Sequence, residues 1–150
     1  MQYLVYTDSA CSPKRNKVTA AYMIKTKYKY MGSGVNIFEG TSIAVGESIA
    51  VGLAIEALLK ENILKNKDNV IIYTDCKSVV DFFAKVREPN TFPKTKDKAV
   101  KLTWKKLQEL SEACEWTFVK IKAHDKGANG NKVADRLAKY ALRYLCEVIE

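Results

Sequence analysis

The sequence predicts an α/β domain with the element order β-β-β-α-β-α-α-β-α. Short runs rich in β-branched and aromatic residues occupy much of residues 3–38, as strands require. Apolar residues then recur at helical spacing in the later segments. Two apolar runs end in the same dipeptide, Thr7-Asp8 and Thr74-Asp75.

The first strand is Tyr3 to Thr7. Val18 to Thr26 and Tyr28 to Phe38 read as two more, joined by a tight turn, so the three form an antiparallel meander. Residues 39–42, Glu-Gly-Thr-Ser, make a loop. A helix follows from about Gly46 to Asn62, with Ile49, Leu53, Ala57 and Leu58 on its apolar side. Val70 to Thr74 is a short, wholly apolar strand of the kind found inside a sheet. The next helix covers about Lys77 to Val86. Pro89 and Pro93 break the pattern. Helix resumes near Thr95, with Val100, Trp104, Leu107 and Cys114 at core spacing. Trp116 to Lys122 alternates as a strand. A polar loop over residues 123–130 leads to a last helix, with Asn131 as its N-cap and Val133, Leu137, Ala141, Tyr144 and Leu145 as its apolar residues.

The 150 residues suffice for one domain, 1–150, with a sizeable core. The chain is 47% hydrophobic and 28% charged, as in ordinary globular proteins. Lys plus Arg number 25 against 17 Asp plus Glu, a formal net charge of +8 that favours a polyanionic partner, most simply nucleic acid. Among Cys11, Cys76, Cys114 and Cys146 no two have the CxxC spacing, and His124 is the only histidine, which argues against a zinc site. Reduced thiols fit a cytoplasmic location. No apolar stretch is long enough to span a bilayer. The start at Met1, on the first strand, suggests a free-standing enzyme, and no feature points to an obligate protein partner, so a monomer is expected.

Two strands that both end in Thr-Asp bring Asp8 and Asp75 to one edge of the sheet, where open α/β sheets place their sites. Carboxylates held that close repel unless a cation lies between them. Either Asp alone could simply cap a helix. Glu47 at the start of the first helix and Asp135 near the start of the last are two further acids able to reach the same rim; alone, each reads as a first-turn acid favoured by the helix dipole. Cys76, after Asp75, reads as a small packing residue.

The ordered set resembles type 1 ribonuclease H. The resemblance rests on Val5-Tyr6-Thr7-Asp8, Glu47-Ser48-Ile49-Ala50, Tyr73-Thr74-Asp75 and Val133-Ala134-Asp135-Arg136-Leu137-Ala138, with His124 in the loop before the last helix, and it covers nearly the whole chain. It implies a ribonuclease H-like five-stranded mixed sheet, the meander plus parallel strands, flanked by helices. It also implies an endonuclease that hydrolyses the RNA strand of RNA–DNA hybrids with two magnesium ions, for which manganese can substitute. Asp8, Glu47, Asp75 and Asp135 would hold the ions, and His124 would assist proton transfer or product release. The chemistry agrees: two divalent ions about 3.5–4 Å apart activate water and stabilise the leaving oxygen. Magnesium prefers oxygen ligands.

Other segments depart from the family. Asp8 is followed by Ser9-Ala10-Cys11-Ser12-Pro13 rather than Gly-Ser and a Gly-Asn-Pro-Gly-like turn. Ile43-Ala44-Val45-Gly46 precedes Glu47 where paired asparagines are common. Asn16, Thr41 and Ser42 are candidate contacts to the hybrid backbone. In place of the family's Lys-rich helix, Lys94, Lys96 and Lys98, with Lys101 and Lys105, form a candidate phosphate-binding strip. A DNA-directed nuclease of the same superfamily, and a non-catalytic hybrid-binding or polymerase accessory domain, are the alternative readings. The element order argues against the first, and retention of all four acids argues against the second.

Overall fold

The computed structural model describes residues 1–88, 93–122 and 129–145. Five strands form one sheet in the order β3-β2-β1-β4-β5, with β1 Gln2–Ser12, β2 Lys17–Lys25, β3 Tyr30–Glu39, β4 Asn69–Thr74 and β5 Glu115–Lys120. β1, β2 and β3 pair antiparallel, and β4 joins β1 and β5 in parallel. The expected meander and the interior position of the apolar β4 are both present. The helices are α1 Ile43–Glu61, α2 Lys77–Phe83, α3 Lys98–Ala113 and α4 Asn129–Tyr140. No helix among the described residues is long and apolar enough to cross a membrane.

Alternation along β1 sorts its side chains between two layers. Tyr3 and Val5 enter the main core with Val51, Ile55 and Leu58 of α1, Phe83 of α2 and Trp104 and Leu107 of α3. Tyr6 faces the other way, and packs with Met23 and Ala134 of α4. Aromatic packing joins α2, α3 and β5: Phe83 stacks on Phe118 at 6.1 Å between ring centroids, and Phe82 meets Trp104 edge to face at 5.1 Å. Small residues set the helix spacings. The Thr103 hydroxyl lies so close to Gly52 that a Cβ there would come within 2.4 Å, and it donates to the Ser48 carbonyl at 2.9 Å, locking α3 against α1. On the opposite face, Thr19 of β2 donates to the Ala138 carbonyl of α4 at 3.0 Å.

Several elements differ from the sequence expectation. β1 does not stop at Thr7 but runs to Ser12, so Asp8 lies within the strand, opposite Ala21. Its partner β2 continues, although pairing to β4 ends at Tyr6–Tyr73. α1 begins at Ile43 rather than Gly46, because the Ser42 side chain caps it by accepting from the Val45 amide at 3.2 Å. Its buried side is Val51, Ala54, Ile55 and Leu58, and Ile49, Leu53 and Ala57 are only half-buried. α3 starts at Lys98, three residues later than expected, where Asp97 accepts from the Ala99 and Val100 amides at 2.9 and 3.1 Å. α4 starts at Asn129, so Asn131 is inside the helix and does not cap it. The buried face of α4 is Ala134 and Ala138, continued by Ala141 in the π-helical turn Ala141–Leu145 that follows, with Val133 and Tyr144 exposed, because the close approach to β1 and β2 favours small side chains.

Gly46 carries the tightest of these approaches. A Cβ there would lie 2.0 Å from the Ser9 hydroxyl and 2.7 Å from Val18 Cγ1. Gly46→Ala is expected to lower stability by about 1–3 kcal/mol through overpacking and to push the start of α1 off the sheet. Chemical denaturation measures this; an unchanged midpoint would show that the approach is not tight.

Candidate active site

The site lies where β1 and β4 part. Beyond Tyr6–Tyr73 the two strands no longer pair, and the Thr7 hydroxyl bridges them by donating to the Tyr73 carbonyl at 3.2 Å. Glu47 enters this fork from α1. It is fully buried, and its Oε2 accepts from both Thr7 Oγ1 at 3.2 Å and Thr74 Oγ1 at 3.1 Å. Its Oε1 is buried and has no hydrogen-bond partner. A buried charged oxygen left alone is costly, so a cation or a proton must satisfy it.

Asp8, Glu47 and Asp75 each offer a carboxylate oxygen within 4.8 Å of the others. Asp8 is buried in β1, and one of its oxygens accepts from the Ser9 amide at 2.9 Å. Asp75 follows β4 directly and is half-buried. It does not cap α2, because Cys76 occupies that position and the Cys76 amide donates to Thr74 Oγ1 instead. Glu47 stands beyond the first turn of α1, so the helix dipole does not account for it. Asp135, on α4 at the opposite face of the sheet from α1, is not one of these three clustered acids, and it acts on Asp8 as a neighbouring acid. It pairs with Lys139 at 3.1 Å, one turn further along.

The electrostatics match this crowding. Burial, above all, pushes Asp8 up to about 7; the Asp135 carboxylate raises it further, the Ser9 amide and Glu47 oppose the rise, and Asp75 adds repulsion. Burial also holds Glu47 well above the usual carboxylate range, with Asp8 and Asp75 adding to it. Such a donor set, all oxygen, crowded and without its own counter-charge, fits a hard divalent cation such as magnesium. A further four-coordinate thiolate or imidazole site is absent among the described residues, where Cys11, Cys76 and Cys114 are free and far from ligand spacing.

The other expected contacts fall into two groups. Asn16 is exposed in a left-handed conformation after a short 3₁₀ turn, and its carbonyl accepts from the Gly40 amide at 3.1 Å. This bond brings it beside exposed Thr41 and Ser42, so the three share one ledge at the start of α1. Lys94, Lys96 and Lys98 are all exposed. Lys94 lines a hollow of about 280 Å³ with Val45 and Ser48 of α1 and Ser78 and Phe82 of α2. That hollow adjoins the helix starts next to Glu47 and Asp75. His124 lies outside the described residues. Sequence reasoning gave no role to Thr7 and Thr74, the two hydroxyls that hold Glu47. The signal was present, because each immediately precedes an aspartate of the site.

The backbone is similar to the crystal structure of ribonuclease H1 from the halophilic archaeon Halobacterium salinarum NRC-1. The TM-score is 0.67 at 17% identity, covering 95% of this chain and 98% of that one, a likeness of fold. No curated protein matches the sequence. The family model for ribonuclease H matches residues 1–143, nearly the entire length, and with the acid-lined fork between β1 and β4 this chain belongs to the ribonuclease H family of hydrolases.

Proposed function

We propose that this protein is an endonuclease that hydrolyses the RNA strand of RNA–DNA hybrids, with two magnesium ions held by Asp8, Glu47, Asp75 and Asp135. The unpartnered, fully buried Oε1 of Glu47 beside two more carboxylates is the observation that carries it. When bound, the ions would lower the pKa of the attacking water and stabilise charge on the leaving oxygen; manganese, with the same ligand preferences, can replace them.

The chain's own residues do the positioning. Thr7 and Thr74 hold one oxygen of Glu47, so the carboxylate cannot rotate away from the fork. The Ser9 amide fixes Asp8 in the same way. Lys139 holds Asp135 from its outer side. His124 is the one side chain whose ordinary pKa allows a proton to be taken or given near neutrality, and it assists the departure of product. Asn16, Thr41 and Ser42 would meet the hybrid backbone on one side of the fork, and Lys94, Lys96 and Lys98 its phosphates on the other. The hybrid is read through its 2′-hydroxyls and groove width, without sequence preference. The free thiols at Cys11, Cys76 and Cys114 fit the cytoplasm, and the protein is proposed to act as a monomer.

Asp75→Asn tests the assignment. It should abolish cleavage of a labelled hybrid in magnesium or manganese with the fold retained, whereas near-normal turnover would remove Asp75 from the metal set. Chelator should stop the wild type, and double-stranded RNA should stay largely intact. Equal cutting of hybrid and duplex DNA would favour a DNA nuclease.

The raised acids predict how the metal-free protein responds to pH. Their folded pKa values lie above the unfolded ones, so between about pH 4 and 7 the native state binds more protons than the unfolded state. The contribution of Asp8 to stability therefore falls as pH rises through that window, and Glu47, raised well above the usual carboxylate range, acts in the same direction. Without metal, Tm should drop between pH 5 and 7.5. Magnesium should restore it at the upper end through preferential binding to the folded state. Glu47→Gln should flatten the profile and raise Tm at pH 7.5, by roughly 2–4 °C for each kcal/mol relieved. A pH-independent Tm in chelator would contradict the buried, uncompensated cluster.

Replacing Lys94, Lys96 and Lys98 with Ala should reduce the salt dependence of hybrid binding by roughly 0.7–0.9 log units per lost phosphate contact for each tenfold change in salt. KM should rise and kcat should hold. An unchanged slope would put the phosphate-binding surface elsewhere.

A further inference from the structure

The tip of the β2–β3 hairpin carries the run Lys25-Thr26-Lys27-Tyr28-Lys29-Tyr30, without an acid. It lies at the end of the sheet away from the carboxylates. Lys25 is opposite Leu4 and Ala21 is opposite Asp8, so the base of the tip is roughly 13 Å along β1 from Asp8. Tyr28 is 87% exposed and Tyr30 is 60% exposed. The turn is held by its own backbone, with the Thr26 amide donating to the Lys29 carbonyl at 2.8 Å, so the rings project from a fixed support. The Lys27 ammonium lies 5.4 Å from the centroid of the Tyr28 ring.

A hollow of about 350 Å³ opens beside this tip, between the hairpin and the last turns of α1. Tyr22 forms one wall, and its ring lies close over Gly34 of the neighbouring strand. A Cβ there would lie 2.7 Å from the Tyr22 ring, so only glycine lets that ring lie flat along the edge strand. Tyr30 stands at the mouth, its hydroxyl 2.7 Å from Ser33 Oγ. Lys29 and the Glu61 carboxylate also line the space.

We propose that the hairpin tip and this hollow form a second nucleic-acid site, one that takes single-stranded nucleic acid. Exposed rings beside cations are the means by which proteins hold single strands without sequence preference: bases stack on the rings and phosphates meet the lysines. A duplex cannot use the rings in this way, because its bases are already stacked. The hollow lies within the volume range of small-ligand sites and accommodates one base beside Tyr30. Glu61 would repel a phosphate there but accepts a hydrogen bond from a base amino group, so the base enters and the phosphate stays outside with Lys27 and Lys29. The reading is independent of the carboxylate site and of its chemistry.

The test is fluorescence anisotropy in chelator with a labelled oligothymidylate or oligocytidylate of about ten nucleotides, within the range one such surface covers. Tyr28→Ala with Tyr30→Ala should weaken binding by about tenfold or more, since one ring–base stack removed accounts for roughly 5–150-fold. Glu61→Gln should narrow any preference for cytidylate over thymidylate. Circular dichroism checks that the variants fold. Equal affinity in the double tyrosine variant would overturn the proposal. So would a loss seen only on replacing Lys27 and Lys29, which would mark a nonspecific charge effect. Tyrosine-dependent binding to vesicles containing anionic lipid, with none to the oligonucleotides, would assign the tip to a membrane surface instead.

Discussion

The site depends on one buried carboxylate with unequal oxygens. Oε2 of Glu47 is held by two threonine hydroxyls, and Oε1 has nothing. Complete satisfaction would have made Glu47 a structural residue. Asp68 shows that alternative within the same chain. Its oxygens accept from the Lys65 amide at 2.8 Å and the Met1 ammonium at 3.2 Å, and its pKa is lowered. Glu47 lies much deeper, with no exposed surface, and burial together with the neighbouring acids raises its pKa. One acid stabilises the fold, and the other stores an unfavourable interaction that a proton or a bound cation would relieve.

That unfavourable interaction is sustained by backbone geometry. β1 must continue along β2 after it leaves β4, or Asp8 would not stand in the fork. α1 must approach within reach of both strands, which Gly46 allows and a Cβ would prevent. α4 must sit close on the opposite face, through Ala134 and Ala138, for Asp135 to meet Asp8 around the sheet. Each condition uses a small residue or a strand end. The tolerance for error is low, since a shift of one residue in strand register would turn Asp8 to the other face.

Much of this was legible in the sequence. The order of elements along the chain followed from apolar runs and their breaks, the parallel strands only from the family resemblance, and the Thr-Asp endings marked Asp8 and Asp75. The starts of α1 and α3 were not, because a capping serine or aspartate is recognised by the amides it accepts from, and neither Ser42 nor Asp97 differs in sequence from an ordinary loop residue. The inner face of α4 was misread for a related reason. Val133 and Leu137 look like core residues by hydrophobicity, but the contact with the sheet is too close for them, and alanines fill it. Hydropathy ranks residues by their preference for burial; here the gap between helix and strand decided which could fit. The two threonines escaped notice because a hydroxyl beside an aspartate has no periodic signature, and its role appears only once Glu47 is brought between the strands.

Charge distribution joins the site to the rest of the surface. A net charge of +8 surrounds a cluster of acids that is itself strongly repulsive. The basic surface draws a polyanion in from solution. At the fork, however, bare carboxylates would repel the same phosphates. The two preferences are compatible only when cations neutralise the acids. Binding of a nucleic-acid backbone at the fork and binding of metal are thus coupled through one electrostatic term, and each should strengthen the other. The hairpin tip has no such conflict. Its lysines face no carboxylate cluster, so a strand held there as proposed would need no metal, whereas a backbone at the fork would.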